Sequence, residues 1–212
     1  MPGLTPARFN RLLRRMGQRV RWRRAAACPC RDPHSGQARP TCPVCEGRGV
    51  MWGQPREAWT GLSSMKVARE WAEFGEFTSG DVILTIPSDS PLYGCGEHDR
   101  IVMADSSEPF SAILTRGEND RLTVPALRLE RVFWLNDAGD AVVEGAIPSV
   151  APDGTLGWAS GGAPPEGRQY TVQGRRHQEY FVFKDLPQDR AHYGGRDLPR
   201  RVAARRFDLF GR

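Results

Sequence analysis

Hydrophobic positions recur at two different periods along this chain, and the change between them marks its organisation. Near the start, Phe9, Leu12, Leu13, Met16 and Val20 fall at helical spacing, one apolar face of a 3.6-residue period. Thr5 followed by Pro6 supplies an N-cap and a proline at the first helical position. The other face carries Arg8, Arg11, Arg14, Arg15 and Arg19, with Arg21, Arg23 and Arg24 beyond. Residues 1–24 are therefore predicted to form a basic amphipathic helix, an arm whose apolar stripe needs a partner surface.

After Gly53 the texture turns to short apolar runs separated by turn residues, the mark of strands. Val82, Leu84 and Ile86 alternate after Gly80, residues 101–104 and 112–115 form further runs, and Leu127, Leu129, Phe133 and Leu135 alternate before a turn at residues 136–140. Residues 147–167, rich in proline and glycine, predict a long loop or irregular hairpin around Trp158. Residues 170–173 and 179–184 predict another hairpin, closed near residues 174–177. Five or six strands at regular spacing imply a mainly β fold, a small β-barrel or sandwich. The 23 glycines and 17 prolines among 212 residues agree, since so many turn formers exclude a helical bundle. No apolar run approaches the length of a membrane span, so the chain is expected to be soluble, without a membrane partner.

Cysteine spacing adds chemistry to this frame. Cys28 and Cys30 are followed by Cys42 and Cys45, each pair on a proline-containing turn, with eleven residues between the pairs. That pattern suits four sulfurs around one ion at about 2.3 Å. Gly47 and Gly49 follow, as in zinc knuckles in which glycine allows positive φ. The expected cofactor is a structural Zn2+ held by Cys28, Cys30, Cys42 and Cys45, with His34 as the alternative fourth ligand. The C-x-C pair is tighter than the usual C-x-x-C. An odd total of five cysteines and the lack of a recognisable signal peptide argue against disulfides. Cys95, between two glycines, reads as a free thiol in a turn. The domain organisation expected is thus arm 1–24, knuckle 25–53, β-barrel domain 54–184 and C-terminal arm 185–212.

The net charge of +5 hides an asymmetry: residues 1–31 carry nine arginines and no acidic residue, and the remainder is net acidic. Arg11, Arg14, Arg15, Arg19, Arg21, Arg23 and Arg24 are candidate contacts for nucleic acid or an acidic partner; a solvated basic face is the alternative. In the tail, Val202, Phe207, Leu209 and Phe210 lie among arginines, Arg212 included. They either complete the sheet of their own subunit or dock on a neighbour by strand addition.

Enzyme signatures are weak. His177 and Glu179 form an H-x-E triplet, but the cysteines precede it, the wrong order for a zinc deaminase. Asp185, Asp189, Asp197 and His192 sit among turn residues and arginines, and no phosphate-binding loop or nucleophile elbow occurs. Catalysis is not expected.

Taken together, the arginine-rich start, the knuckle from Cys28-Pro29-Cys30 to Cys42-Pro43-Val44-Cys45, the strand Gly80-Asp81-Val82-Ile83-Leu84-Thr85-Ile86-Pro87 and the ending from Glu179-Tyr180-Phe181-Val182-Phe183 through Leu186-Pro187-Gln188 to Leu198-Pro199-Arg200-Arg201-Val202 resemble the neck, or head–tail connector, proteins of tailed bacteriophages. The resemblance covers most of the chain loosely. It implies a structural virion protein at the head–tail junction, made in the host cytoplasm. It also implies a homo-oligomeric ring of six or twelve copies, with portal or adaptor and tail proteins as partners and non-specific contact with packaged double-stranded DNA. The alternative is a zinc-containing DNA-binding protein that uses the arginine-rich helix.

Overall fold

The structure, a computed structural model, describes residues 5–62, 80–186 and 191–210; Arg212 and residues 187–188 of the quoted ending lie outside that range. Helix α1 (Pro6–Met16) begins as its N-cap predicts but stops at Gly17. A Cβ at Gly17 would lie 2.3 Å from the Leu13 carbonyl oxygen and 2.7 Å from that of Thr60, so only glycine lets the chain turn there. Beyond it the period becomes two: Val20 and Trp22 point inward and arginines alternate with them in β1 (Gln18–Arg23). The basic helix expected over residues 1–24 is thus corrected to a helix followed by a strand. β-branched and aromatic residues in alternation favour the extended chain.

The remaining strands are β2 (Ala25–Ala27), β3 (Val50–Trp52), β4 (Arg56–Leu62), β5 (Val82–Ile86), β6 (Arg100–Thr115), β7 (Ala126–Leu135), β8 (Val142–Glu144), β9 (Ser149–Val150), β10 (Leu156–Gly157), β11 (Gln169–Asp185), β12 (His192–Tyr193), β13 (Arg196–Asp197) and β14 (Arg200–Arg206). They belong to two compact units, the second spanning Ser106–Gln178 and the first comprising the chain on either side of it. β6 and β11 pass from one unit into the other.

In the first unit six strands close a barrel in the order β14-β5-β4-β1-β6-β11, and pairing of β11 with β14 completes the circle. Every other residue faces the interior, where Val20, Trp22, Leu84, Ile86, Ile101, Met103, Val182 and Val202 are buried with Leu92 and Cys95. No single strand can bury such a stripe alone; closure turns it onto a shared interior and leaves no free edge in the ring. Asp99 fixes the entry to the knuckle: its carboxylate accepts from Trp22 Nε1 at 2.7 Å, the Ala25 amide at 2.7 Å and the Gly96 amide at 3.0 Å. Asp81, equally buried, accepts from Arg205 Nη2 at 2.9 Å.

The tail resolves in favour of the first of its two readings. β14 pairs with β5 on one side and β11 on the other, and Val202 is fully buried in the barrel. Val202 is therefore a core residue and no docking contact, because alternation along β14 turns it inward. Phe207 and Phe210 follow in a short 3-10 turn and half-buried positions.

The second unit is built by β7, β8, the β9–β10 hairpin and the parts of β6 and β11 within it. Val132 opposes Val172 and Trp134 opposes Tyr170 across β7 and β11. These pack with Leu114, Leu122, Leu156 and Trp158. The hairpin expected over residues 170–184 is instead one continuous strand, β11. Gly174, read as a turn residue, sits at a shift in register, where a Cβ would lie 2.3 Å from the Arg128 carbonyl oxygen; it marks a bulge with close backbone approach. Likewise residues 101–104 and 112–115 are two ends of β6, whose polar middle hides the strand.

Candidate metal centre

The cysteine site grows from a small sheet outside the barrel. β2 and β3 pair in antiparallel register, Ala27 opposite Val50, and bring the two ends of a 22-residue segment together so that each cysteine turn starts from a fixed base. The Cys28 amide donates to the Gly49 carbonyl at 2.9 Å, that of Cys42 to Arg39 at 3.1 Å and that of Glu46 to Cys42 at 2.8 Å. The second turn needs left-handed backbone at Glu46, Gly47 and Gly49. At Gly47 a Cβ would lie 3.1 Å from the Pro40 carbonyl oxygen, so glycine serves both conformation and space.

All four sulfurs lie within 4.8 Å of one another. Cys28 Sγ is 3.9 Å from Cys42 Sγ, and Cys30 Sγ is 3.5 Å from Cys45 Sγ. Four sulfurs at 2.3 Å from a tetrahedral centre stand about 3.8 Å apart. The cluster is thus compatible with a metal site, and Cys28, Cys42 and Cys45 are buried around it. His34 is not among the converging groups: it is exposed, and its amide is held at 2.9 Å by the Asp32 carboxylate.

Electrostatics favour the same end. Amides of Cys45 and then Val44 donate to the Cys42 sulfur and, against burial, lower its pKa to about 6. The Arg39 backbone acts on Cys30 in the same sense, but burial and the neighbouring thiols, Cys45 first, push Cys30 up to about 12. Sulfurs this close cannot all ionise unaided, and a cation held between them would supply the missing charge. Cys95 stands apart in the barrel core, where burial pushes its thiol up to about 12 despite Arg200.

Of the predicted arginine contacts, Arg14 lies over the Trp59 ring at 4.5 Å and pairs with Asp89 at 3.4 Å, and Arg19 pairs with Asp105 at 2.7 Å. Both charges are thereby engaged. Arg11, Arg15, Arg21 and Arg24 are exposed, and Arg23 is partly covered. His177 and Glu179 are strand residues of β11, with Glu179 paired to Arg100. His192 Nδ1 meets Asp197 at 2.7 Å and Asp185 pairs with Arg200, while Asp189 lies outside the described residues. Among the described residues no helix is long and apolar enough to cross a membrane.

One group of residues escaped the sequence reading. Trp52, on β3, meets Phe207 at 5.2 Å and Phe210 at 5.5 Å, edge to face, and Phe210 meets Phe181 at 4.7 Å. The guanidinium of Arg100 lies 4.1 Å from the Phe207 ring centre. Phe207 and Phe210, read as docking contacts, thus anchor the tail to the knuckle of their own chain, with Leu209 partly buried beside them. The signal for Trp52 was Val50-Met51-Trp52, an apolar run directly after the knuckle glycines. No protein-family model matches the chain, and a search of curated proteins finds no match.

Proposed function

We propose that this chain is a structural, non-enzymatic protein that assembles as a ring at the head–tail junction of a tailed phage, joining portal to tail around the DNA channel. The observation that carries the reading is an uncovered apolar stripe. Phe9, Leu12 and Met16 on α1 are 37%, 50% and 76% exposed, although the scaffold behind them is a closed barrel with its own core. Apolar surface left outside a complete core is surface reserved for association. The loose resemblance in sequence to phage neck proteins supplies the location. In that setting the barrel serves as rigid wall, and repeated modest contacts hold the ring because several must break together.

The knuckle in this reading holds a structural Zn2+ through Cys28, Cys30, Cys42 and Cys45. A donor set of four sulfurs suits zinc and leaves no open position for substrate. The ion would contribute folding free energy to a segment too small to hold a core. Native mass spectrometry of the purified chain, then of the same sample denatured, tests both parts. A ring with one zinc per chain supports them, whereas a chain that stays monomeric even with portal and tail proteins refutes the connector role.

A second reading, contact with nucleic acid, is favoured by exposed Arg11, Arg15, Arg21 and Arg24, for which no ion pair occurs among the described residues. It predicts duplex binding whose affinity falls steeply with salt and is lost when these four become alanine. Unchanged mobility at low salt removes it.

A further inference from the structure

We infer that helix α1 of one copy docks on the outer face of the Ser106–Gln178 unit of a second copy. The inference rests on the ring-forming reading above and names the contact that would build the ring.

Among the described residues, two of the exposed apolar surfaces have complementary chemistry. The first is α1. Leu13 reaches Gly61 of β4, and Asn10 Nδ2 donates to Ser88 Oγ at 2.9 Å, which fixes the inward side of the helix. At 100° per residue Phe9, Leu12 and Met16 fall on one stripe beside that side, and Arg8, Arg11 and Arg15 form the next row. All six are exposed, and the three arginines have no ion pair among the described residues.

The second surface lies on the β6, β7 and β8 strands. One face of the unit is occupied by its core; on the other, Ile113, Leu135 and Val142 are 69%, 51% and 63% exposed. With Phe133 they line a groove of about 200 Å³. β8 ends the strand order of this unit, paired on one side only with β7. Its Val142-Val143-Glu144 sequence holds neither the lysine nor the proline that commonly blunts an exposed edge. The turn joining β7 to β8 places Asp137 and Asp140 at the end of the groove; Asp137 pairs with Arg168 yet keeps its side chain 94% exposed, and Asp140 accepts from Asn136 Nδ2 at 2.8 Å. Over the whole unit nine acidic residues face seven basic ones.

An amphipathic helix whose apolar stripe fills such a groove, with its arginine row toward the aspartates, is a recurrent mode of recognition. The occupant assigned is a second copy, because the helix that fits the groove is present on every chain. The contact is heterologous: one patch meets a different patch, so repetition closes a ring or propagates a filament.

Three forms of the full-length chain test this by size-exclusion chromatography with light scattering, with circular dichroism as a check on folding. Wild type is expected to assemble beyond its 23.7 kDa monomer. Leu12→Glu with Met16→Glu damages only the helix, and Ile113→Glu with Val142→Glu only the groove. All four positions are exposed, so both variants should fold. Each alone is expected to self-associate at least about tenfold more weakly, while an equal mixture gives a one-to-one dimer and nothing larger, because only one intact helix and one intact groove remain. Wild-type assembly that neither variant weakens overturns this contact and leaves the ring reading standing on another surface. A wild type that stays monomeric at all concentrations, or a mixture that stays monomeric while wild type assembles, also overturns it. The connector role is then judged separately, by binding to portal.

Discussion

Single carboxylates carry much of the local order. Asp99 gathers three donors from two elements and a loop, so Asp99→Ala should strand buried N–H groups and destabilise the barrel by about 3 kcal/mol, read from the urea midpoint, with Asp99→Asn less damaging. Asp120 responds to pH. Burial pushes its pKa up, but donors from Tyr170, the Gly117 amide and Arg116 outweigh that and leave it depressed. A depressed carboxylate contributes stability that is fully present above its unfolded value near 3.9 and is lost as pH falls through the lower folded value. The tertiary signal of Trp158 and Tyr170 should therefore hold its melting temperature down to about pH 4 and decline below, and Asp120→Asn should flatten that acid limb. Parallel curves for the two proteins would count against this. Neither aspartate was legible beforehand, since a carboxylate's partners come from distant parts of the chain. The four cysteines were, because their spacing is itself the geometry.

Elements were legible where one period runs unbroken. β5 follows its alternation and the knuckle glycines occupy the left-handed positions expected of them, whereas β7 forms where its alternation predicts a strand but turns Val132 and Trp134 to the core and leaves Leu127 and Leu135 exposed. The errors fall where a glycine has more than one use. Gly17 ended α1 early through backbone proximity, and Gly174 allowed a bulge in place of a turn; a sequence records the residue but not the atoms that crowd it. Gly17→Ala is accordingly expected to cost about 2–3 kcal/mol, although alanine is the better helix former. A thermal melt that shows stabilisation would mean that the helix end simply extends. The tail was divided between two readings for a similar reason: a short apolar run flanked by arginines at residues 200–206 shows a segment that must be covered and leaves open which chain supplies its neighbours.

The molecule as a whole separates what the barrel core supports from what the cysteines support. Chelation of bound metal is expected to loosen β2, β3 and both cysteine turns while the barrel keeps its far-ultraviolet β signal. Because Trp52 packs on Phe207 and Phe210, its fluorescence should shift as the tail loses its anchor; complete unfolding on chelation would refute this division. The closure of the barrel also has a consequence for birth order. Its wall includes β1, made before the other five wall strands, and β14, made after them, and β14 is the strand that joins β5 to β11. On the ribosome, five wall strands must wait with two edges open until residue 206 clears the exit tunnel. A stalled or truncated product ending before Arg200 exposes those edges and is the form in which this protein would recruit chaperones or aggregate.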